Sequence, residues 1–159
     1  MSSDPSEFRA SHLVHADFLG AFAVLERAQG VLMVQNERVI AARRQLVWDL
    51  PGGQVEPGEL LDEALRRELR EETSLDVEGA AFLFLQEGEK IVAGVRRYAW
   101  RSFFFAAQAS GEPVAGSEVG AVRWVPRREL PALLTAPYHD SFRQWLLHGG
   151  SYFRSAWRE

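Results

Sequence analysis

The sequence predicts an α/β fold, a mixed sheet flanked by helices. Three observations predict it. Short β-branched and aromatic runs recur along most of the chain, one long amphipathic helical stretch lies near its middle, and strands and helices mix without a regular βαβ alternation. The 159 residues are 47% hydrophobic and 25% charged, ordinary values for a globular domain of that length.

The elements read in order as follows. Residues 1–11 read as a flexible arm, and 12–159 as one domain. The run 19–26 (LGAFAVLE) suits a strand; a turn at 27–30 and a strand at 31–35 make the pair a predicted hairpin. Residues 36–46 read as a short strand with a loop. A short strand at 47–50 is stopped by Pro51-Gly52-Gly53. The helix is predicted from Leu60 to Thr73. Strands follow at 80–86 and 97–108, with breaks at Glu87-Gly88-Glu89 and Ala93-Gly94. After a loop at 111–118 come a strand at 119–125 and helices at 126–134 and 138–147, the second ended by Gly149-Gly150.

Composition excludes several functions. There is no cysteine, hence no disulfide, thiolate zinc site or cysteine nucleophile. Apolar runs such as 103–107 fall far short of the ~20 residues of a membrane span. Met1–Ala10 lacks the apolar core of a signal peptide, so a cytoplasmic protein is expected. The single lysine, Lys90, and scattered arginines argue against nucleic acid. The net charge of −4 is unevenly placed: residues 53–78 hold nine acidic and three basic groups, −6 in all, leaving the remainder at +2.

That charge is on the helix. On a 100° wheel with Glu68 at zero, Leu61, Leu65 and Leu69 fall at about 20°, 60° and 100°. Glu72 falls at about 40° and Glu71 at about −60°. The apolar stripe thus runs into three carboxylates, which repel one another and lose hydration on an inward face. They can protonate, pair with a basic group, or share a cation. Arg67 stands four residues before Glu71 but off the stripe. A hard divalent cation takes oxygen ligands and suits glutamates at this spacing. The wheel alone favours a solvated or salt-bridged cluster over a metal site. The preceding glycines allow a tight turn and close backbone approach to a metal or phosphate.

The stretch Gly53-x5-Glu59-x7-Arg67-Glu68-Leu69-x-Glu71-Glu72-x-Ser74-Leu75 resembles the Nudix box, G-x5-E-x7-R-E-U-x-E-E-x-G-U with U aliphatic. Eight of nine specified positions agree. Trp48-Asp49-Leu50-Pro51-Gly52-Gly53 before the box and Arg123-Trp124-Val125-Pro126 after it are similar to the same family. Ser74 departs, standing where the family has a helix-ending glycine. A left-handed serine there is expected to cost about 1 kcal/mol or to shift the turn.

The resemblance implies a Nudix-type α/β/α sandwich and hydrolysis of a diphosphate bond in a nucleoside diphosphate derivative, with Mg2+ or sometimes Mn2+. It implies that Glu68, Glu71 and Glu72 hold metal, with the Gly52 carbonyl and Glu118 as further ligands. Glu59 and Arg67 would pair to orient loop and helix. Glu68 or Glu118 would be the general base, Glu68 being favoured, with Glu72 the other catalytic carboxylate. Arg43, Arg44, Arg97 and Arg101 are candidate phosphate contacts by their chemistry, while Trp100 and Phe103 read as core. His12, His15, His139 and His148 have no metal spacing and are assigned no chemistry. The expected substrate is a nucleoside triphosphate. ADP-ribose, nucleotide sugars, dinucleoside polyphosphates and a non-catalytic sensing role are the alternatives. Relatives that dimerise leave a homodimer open.

Overall fold

The computed structural model describes residues 17–159; the arm, His12 and His15 lie outside them. Two sheets form. The larger has strand order β5-β1-β7-β6-β9, from β1 (Phe18–Val24), β5 (Gly52–Gln54), β6 (Val77–Val92), β7 (Val95–Ala109) and β9 (Tyr152–Arg158). It is mixed: β1 runs parallel to β7 and β6 to β9, while β5 and the β6–β7 hairpin are antiparallel. In the smaller sheet β3 (Gly30–Ile40) pairs with β2 (Glu26–Arg27), β4 (Arg43–Asp49) and β8 (Ala121–Val125).

Helices cover both faces of the larger sheet. Alternate residues of β1, Ala21 and Ala23, pack with Ala64, Leu65 and Leu69 of α1 (Leu61–Thr73). The small alanines let the helix approach closely. The residues between them face the other way. Phe22 and Val24, with Phe84 and Phe104, pack against Leu130 of α2 (Leu130–Leu133) and Phe142 of α3 (Asp140–His148). The period-two alternation of β1 therefore makes the α/β/α layering.

Several elements depart from the sequence reading. The 19–26 run does not form a hairpin with 31–35: only Glu26–Arg27 pair with β3, and β1 sits between β5 and β7. Its two apolar faces need cover on both sides, which only an interior strand receives. Residues 36–46 are strand on either side of a turn at Ala41 and Ala42, with φ of 51° and 61°. That turn ordinarily takes Asn or Gly. Glu87-Gly88-Glu89 does not break β6. Gly88 pairs with Trp100 on one side and Ser155 on the other, and a Cβ there would lie 2.2 Å from the Trp100 indole. The glycine makes room for the ring. Strand β9, beyond Gly149-Gly150, is an addition.

Helix α1 begins at Leu61, one residue after the predicted start. Leu60 has no side-chain oxygen with which to cap, and Glu63 instead accepts from the Leu60 N–H at 3.1 Å. At the other end Ser74 keeps the left-handed conformation, φ 63°, and its Oγ donates to the Val114 carbonyl at 3.1 Å. The turn does not shift.

The aromatic stack on the α3 side centres on Phe84, fully buried, 4.3 Å from Phe104 and 5.5 Å from both Trp145 and Phe153 between ring centroids. Phe84→Ala is expected to cost about 3–5 kcal/mol, measured by urea denaturation. A loss below 1 kcal/mol would mean that this cluster does not anchor the layer.

Candidate active site

The helix sets its acidic face against the glycine loop. Glu72 is buried, 6% exposed, and its Oε1 accepts from the Gly52 N–H at 3.3 Å. Gly52 has φ 144°, and a Cβ there would lie 2.2 Å from the Ala21 carbonyl oxygen. At Gly53 a Cβ would lie 2.7 Å from the Glu68 carboxyl carbon. The two glycines thus do different work. Gly52 lets the chain lie on β1, and Gly53 leaves space for the Glu68 carboxylate.

Arg67 holds this end together. Its Nε and Nη2 donate to the two Glu59 oxygens at 2.8 and 2.9 Å, a bidentate pair, and Nη2 also reaches the Gln54 carbonyl at 3.0 Å. Nη1 reaches Glu68 at 3.0 Å and Glu71 at 3.3 Å. The wheel puts Arg67 off the stripe. Its long side chain nevertheless reaches back to the carboxylates, so the ion-paired alternative is part of the arrangement. Hydrogen bonds from Arg67, then from the Glu56 backbone, hold the Glu59 carboxyl down at about 2.

Glu72 behaves oppositely. Burial, then the neighbouring Glu68 carboxylate, push its carboxyl up to about 9. Glu72 Oε2 is buried and has no hydrogen-bond partner. That bare oxygen, the adjoining Glu68 carboxylate and the nearby loop backbone form a hard-oxygen donor set that fits a divalent cation. Among the described residues no three acidic or histidine side chains already converge as ligands, because Arg67 draws Glu68 and Glu71 toward itself. Glu71 is 47% exposed and Glu68 14%. Glu118 is exposed, in a loop whose Gly116 N–H donates to the Glu72 carbonyl at 3.0 Å. No hydrogen bond ties the Glu118 side chain to Glu68 or Glu72.

A cavity of about 470 Å³ opens on the α3 side, lined by Phe22, Trp100, Phe104, Tyr138 and Trp157 among others. Leu50 and Gln54, either side of Gly52, belong to its wall, so it adjoins the glycine loop. None of the four candidate phosphate arginines lines it. Arg43 and Arg44 are in strand β4 and exposed, and Arg44 pairs with Glu37. Arg101 is on the face of β7 opposite Trp100, and Arg97 is exposed at a register shift between β6 and β7. Arg101 is held by Glu87 at 2.8 Å and Asp17 at 3.4 Å. Trp100 is buried, as expected, yet it also forms the cavity wall. Phe103, on the α1 side of β7, is only half-buried and meets Phe82.

Sequence reasoning missed Arg38, Asp49, Tyr138 and His139. Asp49, 5% exposed, accepts from Tyr138 Oη at 2.9 Å, His139 Nε2 at 2.6 Å and Asn36 Nδ2 at 3.0 Å, and pairs with Arg38. All four belong to the cavity wall. Asp49 and His139 lie 90 residues apart, so no local spacing could signal them.

A model of the NUDIX domain matches residues 17–146. The chain is 32% identical over 117 residues to a Bacillus subtilis protein provisionally named an 8-oxo-dGTP diphosphatase, spanning 72% of this chain and 70% of that one. It is 37% identical over 123 residues to the human 8-oxo-dGDP phosphatase NUDT18, spanning 73% of this chain but 33% of the human protein. Among solved structures, the MutT protein of Bacillus halodurans shares the fold, with a TM-score of 0.71, 22% identity and 89% of each chain covered.

Two predictions follow from the loop and the helix. Gly52→Ala is expected to destabilise the fold by about 2 kcal/mol or more, since both φ and the Ala21 carbonyl oppose it. Gly53→Ala should leave the melting temperature within a few degrees while displacing Glu68; equal melting losses in the two variants would refute the division of labour. The second concerns pH. A carboxyl raised in the folded state stabilises the fold below its unfolded value, and that contribution is lost as pH climbs through the folded one. In protein stripped of divalent ions, stability should therefore fall between about pH 5 and 9 by at least about 1 kcal/mol. Glu72→Gln should flatten that fall, as read by denaturant titrations across the range.

Proposed function

The chain belongs to the Nudix hydrolase family, and from that premise we propose that it is a magnesium-dependent nucleotide diphosphatase acting on nucleoside triphosphates. Manganese would serve as a substitute. One observation carries the reading: the buried, partnerless oxygen of Glu72 lies beside Glu68 and the Gly52-Gly53 backbone, next to an aromatic-lined cavity. The first feature suits a cation and a phosphate chain, the second a planar base. Both relatives cited above are named for oxidised guanine nucleotides, which puts 8-oxo-dGTP and 8-oxo-dGDP first among the substrates to try.

Glu68, Glu71 and Glu72 would hold the metal, with the Gly52 carbonyl as a further ligand and Glu118 supplied from its loop. Bound there, the divalent ion would neutralise phosphate oxygens and lower the pKa of water. The protein's own groups do the remaining work. Glu68 Oε1 or Oε2 takes the proton from the attacking water. The water oxygen bonds to phosphorus as the bridging P–O bond breaks, and a nucleoside monophosphate and pyrophosphate separate. Arg67 and Glu59 keep helix and loop in register. Trp100, Phe22 and Phe104 exclude water around the base.

The test is a turnover screen with Mg2+ across 8-oxo-dGTP, 8-oxo-dGDP, the common nucleoside triphosphates, ADP-ribose, nucleotide sugars and dinucleoside polyphosphates. Pyrophosphate release from a triphosphate is the expected result. Glu68→Gln and Glu72→Gln should each lower kcat by about a hundredfold or more with the circular dichroism spectrum unchanged. Full activity in either variant would remove these carboxylates from the chemistry. Binding without turnover would favour a sensing module.

A further inference from the structure

Among the described residues, Arg38 is the one arginine in the cavity wall. It extends from β3 opposite Gln45, and 46% of its side chain remains exposed at the rim. Its Nε and Nη2 both lie 3.3 Å from Asp49 Oδ2. An arginine carries five N–H donors in a rigid fork, so one edge fixed on Asp49 leaves the other for a ligand. Its charge also acts on the Glu72 carboxyl, favouring the ionised form. Arg38 therefore stands where cavity and carboxylate helix both feel it.

Asp49 is built to hold that fork. Its carboxylate accepts from Tyr138, His139, Asn36 and Arg38. The His139 tautomer is determined by its neighbours. Nδ1 accepts from the Ala136 N–H at 3.1 Å, so Nε2 carries the hydrogen and donates to Asp49. Three uncharged donors besides Arg38 fill further acceptor sites of Asp49, so the carboxylate is held still while its ion pair uses only one edge of the guanidinium. Fixed on one side and open on the other, it presents the geometry suited to a phosphate oxygen.

We propose that Arg38, held at the cavity rim by Asp49, binds the phosphate chain of the substrate between the aromatic cavity and the Glu68–Glu72 carboxylates. Asp49 is its positioning residue. The assignment rests on the nucleotide reading above, but its ligand chemistry is a polyphosphate and can be tested separately.

Inorganic tripolyphosphate, titrated calorimetrically in Mg2+ buffer, is the probe, alongside steady-state kinetics on whichever nucleotide is hydrolysed. Arg38→Ala should weaken tripolyphosphate binding at least tenfold and raise KM at least tenfold, with kcat within threefold of the parent. Arg38→Lys should recover part of the loss. Asp49→Asn should weaken binding in the same direction, and combined with Arg38→Ala it should be no worse than Arg38→Ala alone. Arg128→Ala, on an exposed surface away from the cavity, should change neither. The Arg38 variants alter a half-exposed side chain, and melting curves matching the parent would confirm that they fold. If the parent hydrolyses no nucleotide yet binds tripolyphosphate through Arg38, the enzymatic reading fails and this one stands. If Arg38→Ala binds and turns over like the parent, or the parent binds no tripolyphosphate, this proposal is overturned.

Discussion

The architecture turns on a carboxylate placed where a protein interior does not readily accept one. Glu72 sits in the joint between α1 and the glycine loop, with one oxygen on the Gly52 N–H and the other on nothing. Burial and the adjacent Glu68 both oppose its charge. To keep such a group there, the fold has to surround it with parts that cannot drift. Leu65 and Leu69, on the same helical stripe, lock α1 onto the alanines of β1. The Ala23 N–H donates to the Pro51 carbonyl at 2.9 Å and fastens the loop to the same strand. Strand β1 is thus the common reference for loop and helix.

The surrounding ion pairs follow from that placement. Arg67 is anchored bidentately on Glu59 and only then extends Nη1 to Glu68 and Glu71. An arginine satisfied by Glu59 is a weaker competitor for Glu68 than a free one would be. It steadies the helix and offsets part of the charge that Glu68 and Glu71 bring to the face beside the glycines, while Glu72 is left without it.

How much of this was legible in the sequence depends on whether the governing interaction is local. The helix was, because its stripe, its glycine loop and its carboxylates fall within one stretch of 53–75, where periodicity reports directly on geometry. The left-handed end at Ser74 was legible for the same reason. The β3–β4 hairpin was not, since Ala41 and Ala42 adopt positive φ without the residues that usually announce it. The partners of β1 were not, because its register with β7 joins residues about eighty positions apart. Gly88 misled for a related reason: its role is steric accommodation of Trp100 across the sheet. The arginines show the limit most clearly. Composition marks Arg43, Arg44, Arg97 and Arg101 as suitable, but strand alternation and pairing decide which face each occupies, and among the described arginines only Arg38 reaches the cavity.

Asp49 and Glu72 are both buried acids, one in the cavity wall and one on the helix against the glycine loop, and the protein treats them in opposite ways. Burial alone would raise Asp49, but hydrogen bonds from His139 and Asn36 and the charge of Arg38 outweigh it and hold its pKa below the ordinary range. Glu72 has one weak donor and a carboxylate neighbour, and its pKa rises. The difference is not in depth but in the supply of donors. A carboxylate with its acceptor sites filled is an anchor, and its charge belongs to the fold. A carboxylate left with a bare oxygen beside a second acid is at ease only when protonated or when a cation arrives. Nothing in the local chain forced that shortage: His139 and Asn36 show that the fold can bring donors to a buried acid from distant segments. That it does so on the cavity side and not on the helix side separates the group that holds the site from the group that is left to act in it.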